Sequence, residues 1–152
     1  MQAIAAARRR RTRVVALACV VLPLTLVAPR AEATTPTEYM MAWYINHERV
    51  IRGIPAMHLY EPFTVMAHKH SAAMAAKNLL YHNPYLVAWL SPWPWKIIGE
   101  NVGYGWGVYS LHLAFMASPA HRSNILDPRF RYFGVGNVWS GGKLWTTVIF
   151  YG

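Results

Sequence analysis

Between residues 36 and 52 the apolar residues Met40, Met41, Tyr44, Ile45 and Ile51 recur at near-helical spacing, so one side of a helix faces a core. Thr35-Pro36-Thr37-Glu38 reads as a capping box with proline at the first helical position, and Gly53 followed by Pro55 stops the helix near Arg52. A second helix is predicted over Pro62 to Leu80, with proline early and an alanine-rich, closely packable surface after it. A third is expected from Val108 to Ala117, and Ser118-Pro119 restarts a short fourth through His121 to Leu126. The tail changes period. Tyr132 to Trp139 and Leu144 to Tyr151 read as two strands around the turn Ser140-Gly141-Gly142-Lys143. In the last strand Leu144, Thr146, Val148 and Phe150 face one way, and Trp145, Thr147, Ile149 and Tyr151 the other. Apolar residues on both sides imply a sheet covered on both faces.

Residues 81–107 fit neither period. They contain Pro84, Pro92, Pro94 and four glycines, with Trp89, Trp93, Trp95 and Trp106 among them, which predicts a long structured loop. The tryptophans around Pro92 and Pro94 could pack this loop onto the body or form an aromatic lip for a lipid, sterol or sugar. No repeat or low-complexity segment follows the first 33 residues, and one α/β sandwich accounts for residues 34–152.

The first fifth of the chain is of another kind. The basic block Arg8 to Arg13 precedes an uncharged apolar run from Val14 to Val27, and Ala31-Glu32-Ala33 is a small-x-small cleavage signature. Residues 1–33 are expected to be a signal peptide that is cleaved, because the run holds Pro23 and falls short of the roughly 20 residues that span a bilayer. Of the formal net charge of +9, this segment carries six arginines and Glu32, or +5, leaving +4 on residues 34–152. The basicity therefore gives no reason to expect a nucleic-acid partner, and no basic stripe interleaved with aromatics appears. Cys19 is the only cysteine, so the mature chain is expected to stand on packing without disulfides.

Candidate chemistry gathers in three segments: His82 after the second helix, Gly99-Glu100-Asn101, and Ser118-Pro119-Ala120-His121-Arg122-Ser123-Asn124-Ile125-Leu126. They offer two imidazoles and one carboxylate, a set that can hold a divalent cation with open positions or exchange protons as a hydrogen-bonded cluster. A third reading has Glu100 bracing its loop by accepting backbone amides, with both histidines as partners. A cation would need ionised Glu100 and neutral imidazoles, so acid would empty the site. Other signals carry less. His47-Glu48 begins a zinc-protease motif, but Ile51 stands where its second histidine belongs, so the pair is expected on a solvated helix face. His68 and His70 point to different sides of a helix and read as structural. Gly103-Tyr104-Gly105-Trp106-Gly107 lacks dinucleotide spacing and is expected to form tight turns, and no Gly-x-Ser-x-Gly elbow is present.

In order and spacing these segments resemble the CAP superfamily, the fold of cysteine-rich secretory proteins, insect venom antigens and plant pathogenesis-related proteins. Ile45-Asn46 with Arg49 and Gly53 resembles its opening helix; Ala67, His70-Ser71 and Met74-Ala75 resemble its second; Gly134-Val135-Gly136 and the aromatic last strand complete the pattern. The resemblance implies a three-layer α-β-α sandwich with a small mixed or antiparallel sheet, exported from the cell. It implies a cavity built by His82, Glu100 and His121, with Asn101 and Arg122 orienting the acid and the loop. Many members add a second glutamate on the helix before the second histidine, whereas Leu113 to Ala117 holds no acid. The resemblance leaves two activities open: a binding or host- and envelope-interaction module holding a divalent metal, lipid or sterol, or a metal-dependent hydrolase acting outside the cell, with Glu100 as its candidate catalytic residue. The metal would be zinc or magnesium on His82, Glu100 and His121.

Overall fold

The structure, a computed structural model, describes residues 34–152; the leader expected at residues 1–33, Cys19 included, lies outside them. Helix α1 (Pro36–Val50) starts at the expected cap, where the Thr35 hydroxyl accepts the Glu38 N–H at 3.3 Å and the Glu38 carboxylate accepts the Thr35 N–H at 2.7 Å. There follow β1 (His58–Leu59), α2 (Glu61–Lys77), α3 (Leu86–Leu90), β2 (Ile98–Gly105), α4 (Val108–Ala117), α5 (Pro119–Leu126), β3 (Tyr132–Ser140) and β4 (Lys143–Tyr151). The sheet order is β1-β3-β4-β2, with β1 parallel to β3 and the other pairs antiparallel. Helix α2 covers one face, and α1, α4 and α5 cover the other, so the architecture is a three-layer α-β-α sandwich with a mixed sheet.

Two expectations are corrected. Helix α2 ends at Lys77 rather than Leu80, because Asn78 takes a left-handed conformation at φ 46° and its N–H closes the last turn. Residues 81–107 are not loop throughout: they contain α3 and, more consequentially, strand β2. Of the glycines that suggested turns, Gly103 and Gly105 are strand residues, and Gly107 precedes α4. Gly103 and Gly105 pair with Thr146 and Leu144, and glycine's low strand propensity is overridden by a ladder on β4.

The core has two halves. Between the sheet and α1, α4 and α5 lie Met41, Ile45, Phe115, Ile125, Phe133 and Phe150, while Phe63, Ala67 and Met74 of α2 meet Ile149 and Trp145 on the other face. On that face the α2 backbone sits directly on β3. A Cβ at Gly134 would lie 2.2 Å from the Phe63 carbonyl carbon, and one at Gly136 only 2.0 Å from the His68 nitrogen, so side chains at these positions would force the helix off the sheet. Beyond the short β1, the outer edge of β3 is closed by side chains: the Val135 N–H donates to the Thr64 hydroxyl at 3.3 Å and the Asn137 N–H to buried Glu38 at 3.0 Å.

Arg49 fastens the loops on the other side. Fully buried, its guanidinium donates to the carbonyls of Pro55 (2.9 Å), Ile125 (2.8 Å), Asp127 (2.9 Å) and Phe130 (3.2 Å). A planar five-donor group can serve these acceptors together, and a lysine ammonium cannot. Arg49→Ala leaves four carbonyls without this donor and is expected to cost at least about 3 kcal/mol in urea unfolding, with Arg49→Lys recovering less than half of the loss. A loss below about 1 kcal/mol would refute the clamp.

Candidate functional site

The register of β2 on β4 decides which side chains can meet. Glu100 pairs with Ile149 and Val102 with Thr147, and Val102 packs with Met74 of α2 and with Trp145; alternation therefore turns Ile98, Glu100, Val102 and Tyr104 toward the α2 side. Gly99, Asn101 and Gly103 look the other way, as the space next to Gly103 shows: a Cβ there would lie 2.9 Å from the Phe115 ring of α4. β2 is an edge strand, so groups from both faces come together around its free side.

Glu100 is buried and its Oε1 takes two donors, His82 Nδ1 at 2.8 Å and the Asn83 N–H at 2.9 Å. The imidazole is the outward member of the pair, with 66% of its side chain exposed against 3% for Glu100. Oε2 of Glu100 is buried without a hydrogen-bond partner. His82 is held in place from α2, because His70 Nε2 lies 2.8 Å from the Tyr81 carbonyl and the His70 ring packs edge-on against Tyr81 at 5.0 Å. His70 is thus structural, and so is His68, whose Nδ1 lies 3.1 Å from Glu38.

On the opposite side of the strand, the Asn101 amide donates to the His121 carbonyl at 3.0 Å, and the Asn124 amide donates to Asn101 Oδ1 at 2.9 Å and to the Glu100 carbonyl at 3.3 Å. Asn101 therefore ties α5 to β2. Arg122 is exposed on α5 and makes no hydrogen bond with Glu100 among the described residues, whereas Asn124 donates to the Glu100 carbonyl. The sequence signal for Asn124 was its place three residues after His121, on the same helix face. The His121 ring packs on Phe115 at 5.0 Å and borders a groove of about 430 Å³ that passes over Gly103, with Leu80, Val102 and Tyr104 on one side and Leu111, Ala114 and Phe115 on the other. Burial lowers the His121 pKa, and the neighbouring His82 lowers it further.

The structure thus joins His82 to Glu100 and sets His121 across the strand. Among the described residues no group of three or more His, Cys, Asp or Glu side chains stands where it could hold a metal ion. As placed, His82 and Glu100 are bonded to each other, and a cation held by all three residues would require His121 to join them.

The remaining candidates divide. The Glu48 face is not simply solvated: its carboxylate pairs with Arg52 and lies 3.6 Å from Nε2 of buried His112, which stacks on Tyr44 at 5.1 Å, while His47 is exposed and stacks on Trp43. Burial lowers the His112 pKa, opposed by the nearby Glu48 carboxylate. Of the three loop tryptophans, Trp93 packs inward on Phe63 at 5.3 Å, Trp89 is half-buried and Trp95 is exposed.

No family profile matches the chain. A curated relative, the uncharacterized protein YkwD of Bacillus subtilis (strain 168), is 32% identical over 108 residues, which is 66% of this chain and 42% of the relative. Among solved structures, an outer surface protein of Borrelia burgdorferi superposes with a TM-score of 0.70 at 11% identity over 78% of this chain and 93% of its own. An extracellular SCP-domain protein of Bacillus anthracis gives 0.66 at 24% identity over 76% and 40%, and a cysteine-rich secretory protein of Staphylococcus aureus gives 0.67 at 20% over 79% and 39%. The chain spans about two fifths of the length of YkwD and of these last two structures. These likenesses establish the fold of the CAP superfamily, also called the SCP domain.

His112 is buried and His121 half-buried, and the lowered pKa of each predicts an acid-sensitive fold. An unfolded histidine takes up its proton near pH 6.5, before folded His112 or His121 does, so the unfolded chain binds more protons below that pH. Stability at pH 7 is expected to fall as pH drops through about 6.5 and to keep falling until the folded values are passed. Urea midpoints between about pH 7.5 and 5 check this, and His112→Gln is expected to flatten the decline. Midpoints that rise on acidification would contradict it.

Proposed function

Given the CAP fold, we propose that this protein is an extracellular binding module whose ligand is a lipid or sterol seated in the groove across β2. The observation that carries this reading is the groove itself: Leu80, Val102, Leu111, Ala114 and Phe115 present apolar surface, and burial lowers the pKa of His121 at its border. His82, Glu100, Asn101 and Asn124 then form the frame that fixes strand β2 beside it. Export is supported by the leader-like residues 1–33 and by the names of proteins of like fold, one an outer surface protein and one an extracellular protein. Among the described residues no helix is long and apolar enough to cross a membrane.

The second reading is a divalent cation, zinc or magnesium, on His82, Glu100 and His121, which a hydrolase acting outside the cell would use. It is favoured by one observation, the buried and unpartnered Oε2 of Glu100, since a carboxylate oxygen shut away from water calls for a partner. It is opposed by the absence of a three-donor cluster among the described residues.

Two titrations separate the readings. A fluorescent fatty acid and a fluorescent sterol are offered to the protein, to Ala114→Trp, which fills the groove, and to Glu100→Gln. The binding module is expected to hold at least one probe, to lose about tenfold or more in affinity with Ala114→Trp, and to keep it within about threefold with Glu100→Gln. Failure to bind either probe, or equal binding by Ala114→Trp, overturns it. Calorimetric titration with zinc and magnesium is run on wild type and His121→Ala; equal and negligible uptake by both removes the metal reading.

A further inference from the structure

At the end of the sheet where β3 begins and β4 finishes, a hollow of about 260 Å³ is lined, among the described residues, by aromatic side chains alone: Tyr60 and Phe63 at the start of α2, Trp93 from the loop after α3, Tyr132 and Tyr151. The pairing Tyr132↔Tyr151 sets two of these rings side by side on adjacent strands. Phe63, only 1% exposed, forms the floor, with Trp93 and Tyr151 at 5.3 and 5.1 Å from it. The walls stand at steep angles: Tyr60 and Trp93 at 89° with centroids 6.5 Å apart, Tyr60 and Tyr132 at 64° and 6.1 Å, Tyr132 and Tyr151 at 67° and 6.1 Å. A cation about 4.5 Å from each of two perpendicular ring faces lies between centroids roughly 6.4 Å apart, within the ~6 Å reach of the ring quadrupole. The observed spacings of 6.1 to 6.5 Å keep the rings within that reach of a cation in the hollow.

The hollow is also fixed in advance. The Tyr151 hydroxyl donates to the Pro94 carbonyl at 2.7 Å, tying the end of β4 to the loop that carries Trp93. Rigid walls spare a ligand the entropy of ordering them. The lining holds no carboxylate, so a metal ion or a primary ammonium entering it would lose water and gain no acceptor beyond the tyrosine hydroxyls. A quaternary ammonium has no N–H to satisfy and is recognised through ring faces. Exposed Lys96 and Arg131 adjoin this end of the sheet, their backbone amides donating to the carbonyls of Gly152 and Tyr151 at 2.8 Å each. Cationic residues anchored this close to the hollow disfavour a bare cation and favour one that carries its own phosphate.

We infer that this hollow is an aromatic cage for the quaternary ammonium of a choline-phosphate zwitterion, at the far end of β4 from the groove over Gly103 and independent of what that groove binds. The test is calorimetric titration of the protein with soluble phosphocholine and phosphoethanolamine, repeated on Trp93→Phe, Trp93→Leu and Tyr132→Leu, each checked by thermal unfolding. Tyr132 is 41% exposed, so its replacement leaves the core intact even where a change at Trp93 does not. Phosphocholine is expected to bind at least about tenfold tighter than phosphoethanolamine, Trp93→Phe to stay within about threefold of wild type, and both leucine variants to lose about fivefold or more. Flotation with phosphatidylcholine vesicles identifies the source: binding to vesicles and soluble head group assigns a lipid surface, and binding to the soluble form alone assigns a free choline ester. No binding up to ~10 mM phosphocholine, equal affinity for the two amines, or equal loss in Trp93→Phe and Trp93→Leu overturns the cage.

Discussion

Strand β4 is the spine on which the other elements are registered, and its antiparallel pairing with β2 is the constraint that creates both sides of the candidate site. A slip of one residue would turn Glu100 toward α5 and Asn101 toward α2, separating the acid from His82 and the amide from the His121 carbonyl. The strand is buried along most of its length, so the register is enforced by two apolar layers at once, Val148 and Phe150 on one face and Trp145 and Ile149 on the other. The site inherits its rigidity from that enforcement.

Small residues make the pairing possible. Gly134 and Gly136 let the backbone of α2 lie on β3, which brings His70 within reach of the Tyr81 carbonyl and so places His82 over Glu100. Gly103 leaves the opening through which the groove crosses the edge strand. On the far edge, Glu38 caps its own helix and also takes the Asn137 N–H, so one buried carboxylate both starts α1 and closes an otherwise open strand. Arg49 does the complementary work with four carbonyls. Without cysteine in residues 34–152, buried charged side chains supply cross-links that disulfides could otherwise provide.

The two hollows differ in chemistry as well as position. The groove over Gly103 mixes aliphatic side chains with Tyr104, Phe115 and an imidazole at its border, suited to a long apolar ligand, whereas the one beside Tyr151 is lined by aromatic side chains alone. The Glu100–His82 pair lies between them on β2, in contact with a backbone amide and braced through Asn124. That arrangement accounts for a rigid frame at the centre of the molecule without assigning it a reaction.

Local chemistry wrote much of this structure legibly. The Thr35–Glu38 cap, the break at Ser118-Pro119, the helix from Val108 to Ala117 and the alternation of the last two strands are decided by neighbours within a few residues, so they could be read from the chain. Strand β2 could not, because Gly99, Gly103 and Gly105 disfavour a strand in isolation and become one only against β4, a partner distant in sequence. For the same reason the bond between His82 and Glu100, the packing of His121 on Phe115, the contact of Asn124 with the Glu100 carbonyl and the approach of Glu48 to buried His112 are set by packing. Residue identity determined which groups were available, and long-range pairing, which no local preference encodes, decided which of them touch.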